Sequence, residues 1–110
     1  MTLTISDFSW WQVTKAQKID QAAFNATAWS LETFWSELSA ANRYYISLID
    51  ENQEIVGFAG LAFNGSDADV QTMVIKPEYQ NMGYGKKLLD NLIEKVKEKK
   101  STRVFLEVVV

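Results

Sequence analysis

Gln80, Gly83 and Gly85 stand at the spacing Q-x-x-G-x-G, directly ahead of a run with helical periodicity. Glycines there leave backbone N–H groups uncovered where a helix begins. Such an end offers unpaired donors and a partial positive charge, so it attracts phosphate. The turn therefore suits a pyrophosphate. Two familiar phosphate loops fit poorly. The dinucleotide fingerprint needs a third glycine, but Lys86, Lys87 and Leu88 follow Gly85. The nucleoside-triphosphate loop needs Ser or Thr after its lysine, and here Lys87 follows Lys86. Spacing alone equally describes a loop with two turn glycines. Lys86 and Lys87 either meet phosphate or form a solvated helix face.

A second residue able to do chemistry is Glu107, within the otherwise apolar run Leu106-Glu107-Val108. A carboxylate in an apolar strand is costly unless it is paired, functional or turned to solvent. The chain has no histidine and no cysteine. That excludes Ser-His-Asp chemistry, a thiol nucleophile, disulfides, and thiolate or imidazole metal sites. Proton transfer must use Asp, Glu, Tyr, Lys or water. Trp29, Phe34 and Trp35 have a spacing that favours a core role. Trp29 stands at a loop–helix junction.

The elements that position these residues follow from periodicity. Leu3–Ile5 predicts a short strand. Trp11–Phe24 predicts a helix, with Val13, Ala16, Ile19 and Ala23 on its apolar face. Ser30 caps a second helix, in which Leu31, Phe34, Trp35 and Leu38 form one buried stripe. The period then changes. Tyr44–Ile49, Ile55–Phe63 and Ala68–Ile75 read as strands, and Asn64-Gly65 is a hairpin turn. Gly57 and Gly60 inside the second of these either weaken the strand or mark a close backbone approach. After Gly83, Leu88, Leu89, Leu92, Ile93 and Val96 share a helix face, and Thr102–Val110 is a last strand. The predicted fold is α+β, a mixed sheet in the order β-α-α-β-β-β-α-β. The apolar Val108–Val110 edge invites pairing with another chain, including a second copy of this one.

At 110 residues the chain makes one domain, residues 1–110, with 47% apolar residues. A net charge of −3 argues against direct nucleic-acid binding. No apolar run is long enough for a membrane span, and no signal peptide is visible, so a cytoplasmic protein is expected.

The Asn-Gly hairpin, the Pro-Glu-Tyr-Gln step, the glycine loop, the amphipathic helix and the Leu-Glu-Val strand together resemble the GNAT superfamily of N-acetyltransferases. Within it, the chain is most similar to the bacterial ribosomal-protein alanine N-acetyltransferases. The resemblance spans nearly the whole chain and is strongest from Thr72 to Val108. It implies acetyl-coenzyme A as cosubstrate and no metal. It implies a pyrophosphate cradle of Asn81, Met82, Gly83, Tyr84, Gly85 and Lys86, with Gln80 at its entrance. Met73, Val74 and Ile75 would offer backbone groups to the pantetheine arm. Glu107 would be the proton acceptor, and Trp29 would line the acceptor cleft. The implied acceptor is a primary amine, in that group a protein N-terminus. A free α-amino group, with a pKa of roughly 7.7–8.0, is easier to deprotonate than lysine near 10.4. The superfamily pattern continues into a helix and strands that carry a tyrosine general acid, and nothing here matches that tyrosine. The chain is thus expected to be C-terminally short. An alternative reading is an inactive module that binds coenzyme A or pairs with a partner, and another is an unrelated α+β structural domain.

Overall fold

The computed structural model describes residues 3–100 and 103–106. Strand β1 (Thr4–Asp7) leads through a 3₁₀ turn (Trp10–Gln12) into helix α1 (Val13–Phe24). A second 3₁₀ turn (Asn25–Thr27) connects to helix α2 (Leu31–Ser39). Strands β2 (Arg43–Ile49), β3 (Ile55–Asn64) and β4 (Asp67–Ile75) follow as a meander. Helix α3 (Tyr84–Glu98) then crosses to strand β5 (Arg103–Leu106). The order is the expected β-α-α-β-β-β-α-β. The strands form one sheet in sequence order, β1 to β4 antiparallel and β5 parallel to β4. Among the described residues, no helix is long and apolar enough to cross a membrane.

Helices cover both faces, so the central strands need apolar side chains on both sides. That is why β3 is buried from Ile55 to Ala62 without alternation. On one face Leu88, Leu92 and Val96 of α3 pack with Ile46, Leu48, Leu61 and Val70. On the other, Val13, Ala16 and Ile19 of α1 and Phe34 of α2 pack on Phe58 and Val74. Local chemistry sets the helix starts. Ser30 Oγ accepts the Thr33 N–H at 3.1 Å, the expected cap of α2. Gln12 Oε1 accepts the Ser9 N–H at 2.9 Å and the Ser47 hydroxyl at 2.6 Å, fastening the start of α1 to β2.

Two expectations about apolar faces need correction. Leu31 and Trp35 are 46% and 45% exposed, so α2 does not bury a four-residue stripe. The helix is nine residues long and rests on the sheet through Phe34, with Leu38 half-buried. Ala23 is also exposed, and Asp20 occupies the buried face of α1 instead. Gly60 does mark a close approach. A Cβ there would collide with the ring of Tyr45, its cross-strand partner. Val108–Val110 and Glu107 lie outside the described residues.

Candidate functional site

Among the described residues, strand β4 is paired on both sides only along its first half. Its register with β3 shifts between Gly60↔Thr72 and Leu61↔Val70, so Gln71 is a bulge. Strand β5 pairs with Asp67 to Val70 and, among the described residues, with nothing further along β4. Past Val70 the described part of β5 has ended, and this edge of β4 has no partner among the described residues. The Lys76 N–H donates to Val56 O at 2.9 Å, which sets the alternation of this ladder. Val74 therefore exchanges its backbone bonds with Phe58, while Met73 and Ile75 turn theirs to the open side. Of the three residues expected to meet a pantetheine arm, Met73 and Ile75 present backbone groups. Val74 is buried against α1.

This open edge runs into the glycine turn. A 3₁₀ turn (Pro77–Tyr79) closes with Tyr79 N–H to Lys76 O at 2.9 Å and Gln80 N–H to Pro77 O at 3.2 Å. The Gln80 side chain reaches back and donates to Ile75 O at 2.8 Å. Asn81 and Gly83 adopt left-handed backbone at φ 62° and 87°. The first helical bond of α3 is Lys87 N–H to Gly83 O at 3.2 Å. The N–H groups of Tyr84, Gly85 and Lys86 thus have no protein acceptor among the described residues. Nothing would meet a Cβ at Gly83 within 4 Å, and at Gly85 only Ile75 Cδ1 lies in reach, at 3.8 Å. The space in front of these amides is open. Lys86 is committed elsewhere: its ammonium pairs with Asp90 at 2.9 Å, and its side chain is 80% exposed. Lys87 lies over the Tyr84 ring, 5.3 Å from its centre. Met82 is exposed at the tip of the turn.

The α1/α2 face of the sheet carries polar groups that sequence reasoning missed. Tyr45 donates its hydroxyl to Glu37 Oε1 at 2.6 Å, and Arg43 Nε donates to the same oxygen at 3.0 Å. Burial pushes the Glu37 carboxyl up, but these two donors outweigh it and leave its pKa below the usual value. Burial and the adjacent Glu37 carboxylate push the Tyr45 phenol far up, so it stays a donor. Asp20 is 1% exposed, and its carboxylate accepts the Trp29 N–H at 2.6 Å. Burial raises its pKa, and the Trp29 bond offsets part of that rise. The Trp29 ring packs edge-on against Phe34 and Tyr45, at centroid distances of 5.2 and 6.3 Å. One signal was available: Asp20 follows Ile19 on the apolar spacing of α1, where a carboxylate demands a partner. A cavity of about 710 Å³ opens between α1 and the end of β4, lined among others by Lys18, Ala22, Ala23, Ile75, Lys76 and Gln80.

A strand edge that has no described partner beyond its bulge and leads to bare helix amides suits a long guest with amides along its length and phosphate at one end. Residues 8–110 match the acetyltransferase (GNAT) family, and the chain belongs to that family. The chain is 35% identical over 91 residues to the [ribosomal protein bS18]-alanine N-acetyltransferase of Haemophilus influenzae. It is 29% identical over 91 residues to a putative enzyme of that name from Bacillus subtilis. Each match takes in 83% of this chain and 60% of the relative, so the chain spans about 60% of the length of these two proteins. The crystal structure of the Escherichia coli ribosomal-protein-S18-alanine N-acetyltransferase superposes with a TM-score of 0.84 at 26% identity. That match covers 97% of this chain and 67% of the other.

Proposed function

We propose that the protein transfers acetyl from acetyl-coenzyme A to a primary amine, the N-terminal α-amino group of a ribosomal protein. The observation that carries this reading is the continuity of the open β4 edge with the uncovered amides at the start of α3. Residues of this chain fit the coenzyme in kind. Tyr84, Gly85 and Lys86 offer N–H groups to its diphosphate, and Gly83 leaves their approach clear. Met73 and Ile75 offer backbone partners to its pantetheine amides. The coenzyme supplies the thioester carbonyl that the amine attacks.

The reaction needs no covalent enzyme intermediate, which agrees with a chain lacking Cys and His. The amine nitrogen forms the new C–N bond and the C–S bond breaks; the proton that the nitrogen sheds after attack passes through water to the departing thiolate. Glu107 takes the proton of the incoming ammonium, directly or through water. A backbone N–H of the open edge steadies the oxyanion. The names of the relatives support the choice of acceptor, and a cytoplasmic location goes with a ribosomal acceptor.

Calorimetric titration with coenzyme A and a turnover assay on N-terminal peptides test the reading together. Gly83→Asp sets a carboxylate before the bare amides and should weaken coenzyme binding at least about a hundredfold. Unchanged affinity would remove the turn from the site. Glu107→Gln should slow turnover by about 10²–10⁴ with coenzyme affinity intact, the range of a lost general base. A near-normal rate would remove Glu107 from the chemistry.

A further inference from the structure

The buried carboxylate of Asp20 has no part in the scheme above, yet the fold gives it a particular task. It stands one turn along α1 from Gln17, and both side chains reach the main chain of Trp29. Asp20 Oδ2 accepts the Trp29 N–H at 2.6 Å, and Gln17 Nε2 makes a longer contact of 3.5 Å to Trp29 O. The connection they hold is irregular: Asn25 has a positive φ of 51°, and a single 3₁₀ turn spans Asn25–Thr27. Few backbone bonds fix such a segment. Ala28 N–H to Asn25 O at 3.1 Å is one of them.

What the hold orients is visible across the sheet. Tyr45, Gly60 and Thr72 are successive cross-strand partners on β2, β3 and β4, so they share the α1/α2 face. Gly60 has no side chain, and the Tyr45 ring lies over it. Thr72 is the first residue past the bulge, where the open edge of β4 begins. The half-buried Trp29 ring leans on that same Tyr45 ring. Trp29 is thus linked, through the Tyr45 ring, to the face of the sheet that carries Thr72, beside the edge where the proposed acyl transfer would take place.

We propose that Asp20 is a positioning residue whose carboxylate fixes the Trp29 main chain, so that the α1–α2 connection forms the wall receiving the acceptor peptide. The inference rests on the transfer reaction proposed above, and its test separates the two. A short charge-assisted bond inside the fold is stronger than its neutral counterpart. Asp20→Asn keeps an acceptor oxygen of the same size, whereas Asp20→Ala removes it.

The expected order is graded. Asp20→Asn should raise KM for the acceptor peptide about two- to fivefold, and Asp20→Ala at least about tenfold. In both, kcat and the calorimetric affinity for coenzyme A should stay within about twofold of the parent protein. Amide hydrogen exchange at residues 25–30 should quicken in the same order. A merely structural Asp20 would lower stability without splitting KM from kcat. Should the alanine variant not fold, the asparagine variant decides alone. Unchanged peptide KM or unchanged exchange at Trp29 in that variant overturns the proposal. If the parent protein binds coenzyme A but acetylates no peptide, the wall has no acceptor and the inference falls with the reaction. Loss of coenzyme binding would mark a failure of the cradle instead, a result that leaves the exchange measurement to judge Asp20.

Discussion

Glu37 shows how one side chain can link a helix to a strand through charge. Its Oε1 receives both the Tyr45 hydroxyl and the Arg43 guanidinium, and its side chain is 17% exposed. Burial alone would favour the neutral acid, but the donors prevail and hold its native pKa below the usual carboxylate value. The sign of the linkage follows. The ionised group stabilises the fold above its unfolded pKa, and that contribution is lost as pH falls through the lower native value. Glu37→Gln should therefore cost about 1–2 kcal/mol at pH 7, the range of a hydrogen bond to a charged group after discounting partial exposure. The difference from the parent should shrink as urea titrations are repeated below about pH 4. A gap that stayed constant from pH 7 to pH 3 would mean the carboxylate charge is not what matters. Asp20 behaves oppositely: its raised pKa makes its ionisation a burden on stability at neutral pH, one the Trp29 bond only partly offsets.

At the level of elements, the contact between Tyr45 and Gly60 fixes how β2 and β3 meet above the α1/α2 face. Gly60→Ala should cost about 1–3 kcal/mol, because the added methyl overlaps the ring and forces it or the backbone aside. Chemical unfolding measures this, and a cost below about 0.5 kcal/mol would show that the ring moves freely. The glycine was a visible mark in the sequence because strands rarely spare a side chain without reason. The three strands of the meander, the Ser30 cap and the start of α3 were legible for similar reasons, each resting on local chemistry or on a period of two or 3.6. The faces of the first two helices were less so. Periodicity identifies which residues share a face but not how much of that face the sheet covers, so Leu31, Trp35 and Ala23 read as buried and are exposed. The bulge at Gln71 and the divided backbone of Met73, Val74 and Ile75 depend on pairing between distant segments. So does the cluster of Glu37, Arg43 and Tyr45. No local pattern announces either.

For the molecule as a whole, the two layers of helices brace a sheet whose fourth strand is left half-paired among the described residues. A ligand that fills such a gap acts on the entire fold. At a hundredfold excess over its Kd, coenzyme A should add about 2.7 kcal/mol of stability. For a domain of this size that is a rise in Tm of about 10 °C or more. Scanning fluorimetry reads it directly, and a flat response at saturating coenzyme would contradict the proposed cradle. Gln80 adds a last consequence. By engaging the carbonyl of Ile75, it leaves this edge, among the described residues, with two unengaged donors, at Met73 and Ile75, and one unengaged acceptor, at Met73. That uneven set works as a ruler. On the proposed reading, an extended guest shifted by two residues would meet a different set of partners, so the strand would set how far along it the reactive end of its guest comes to rest.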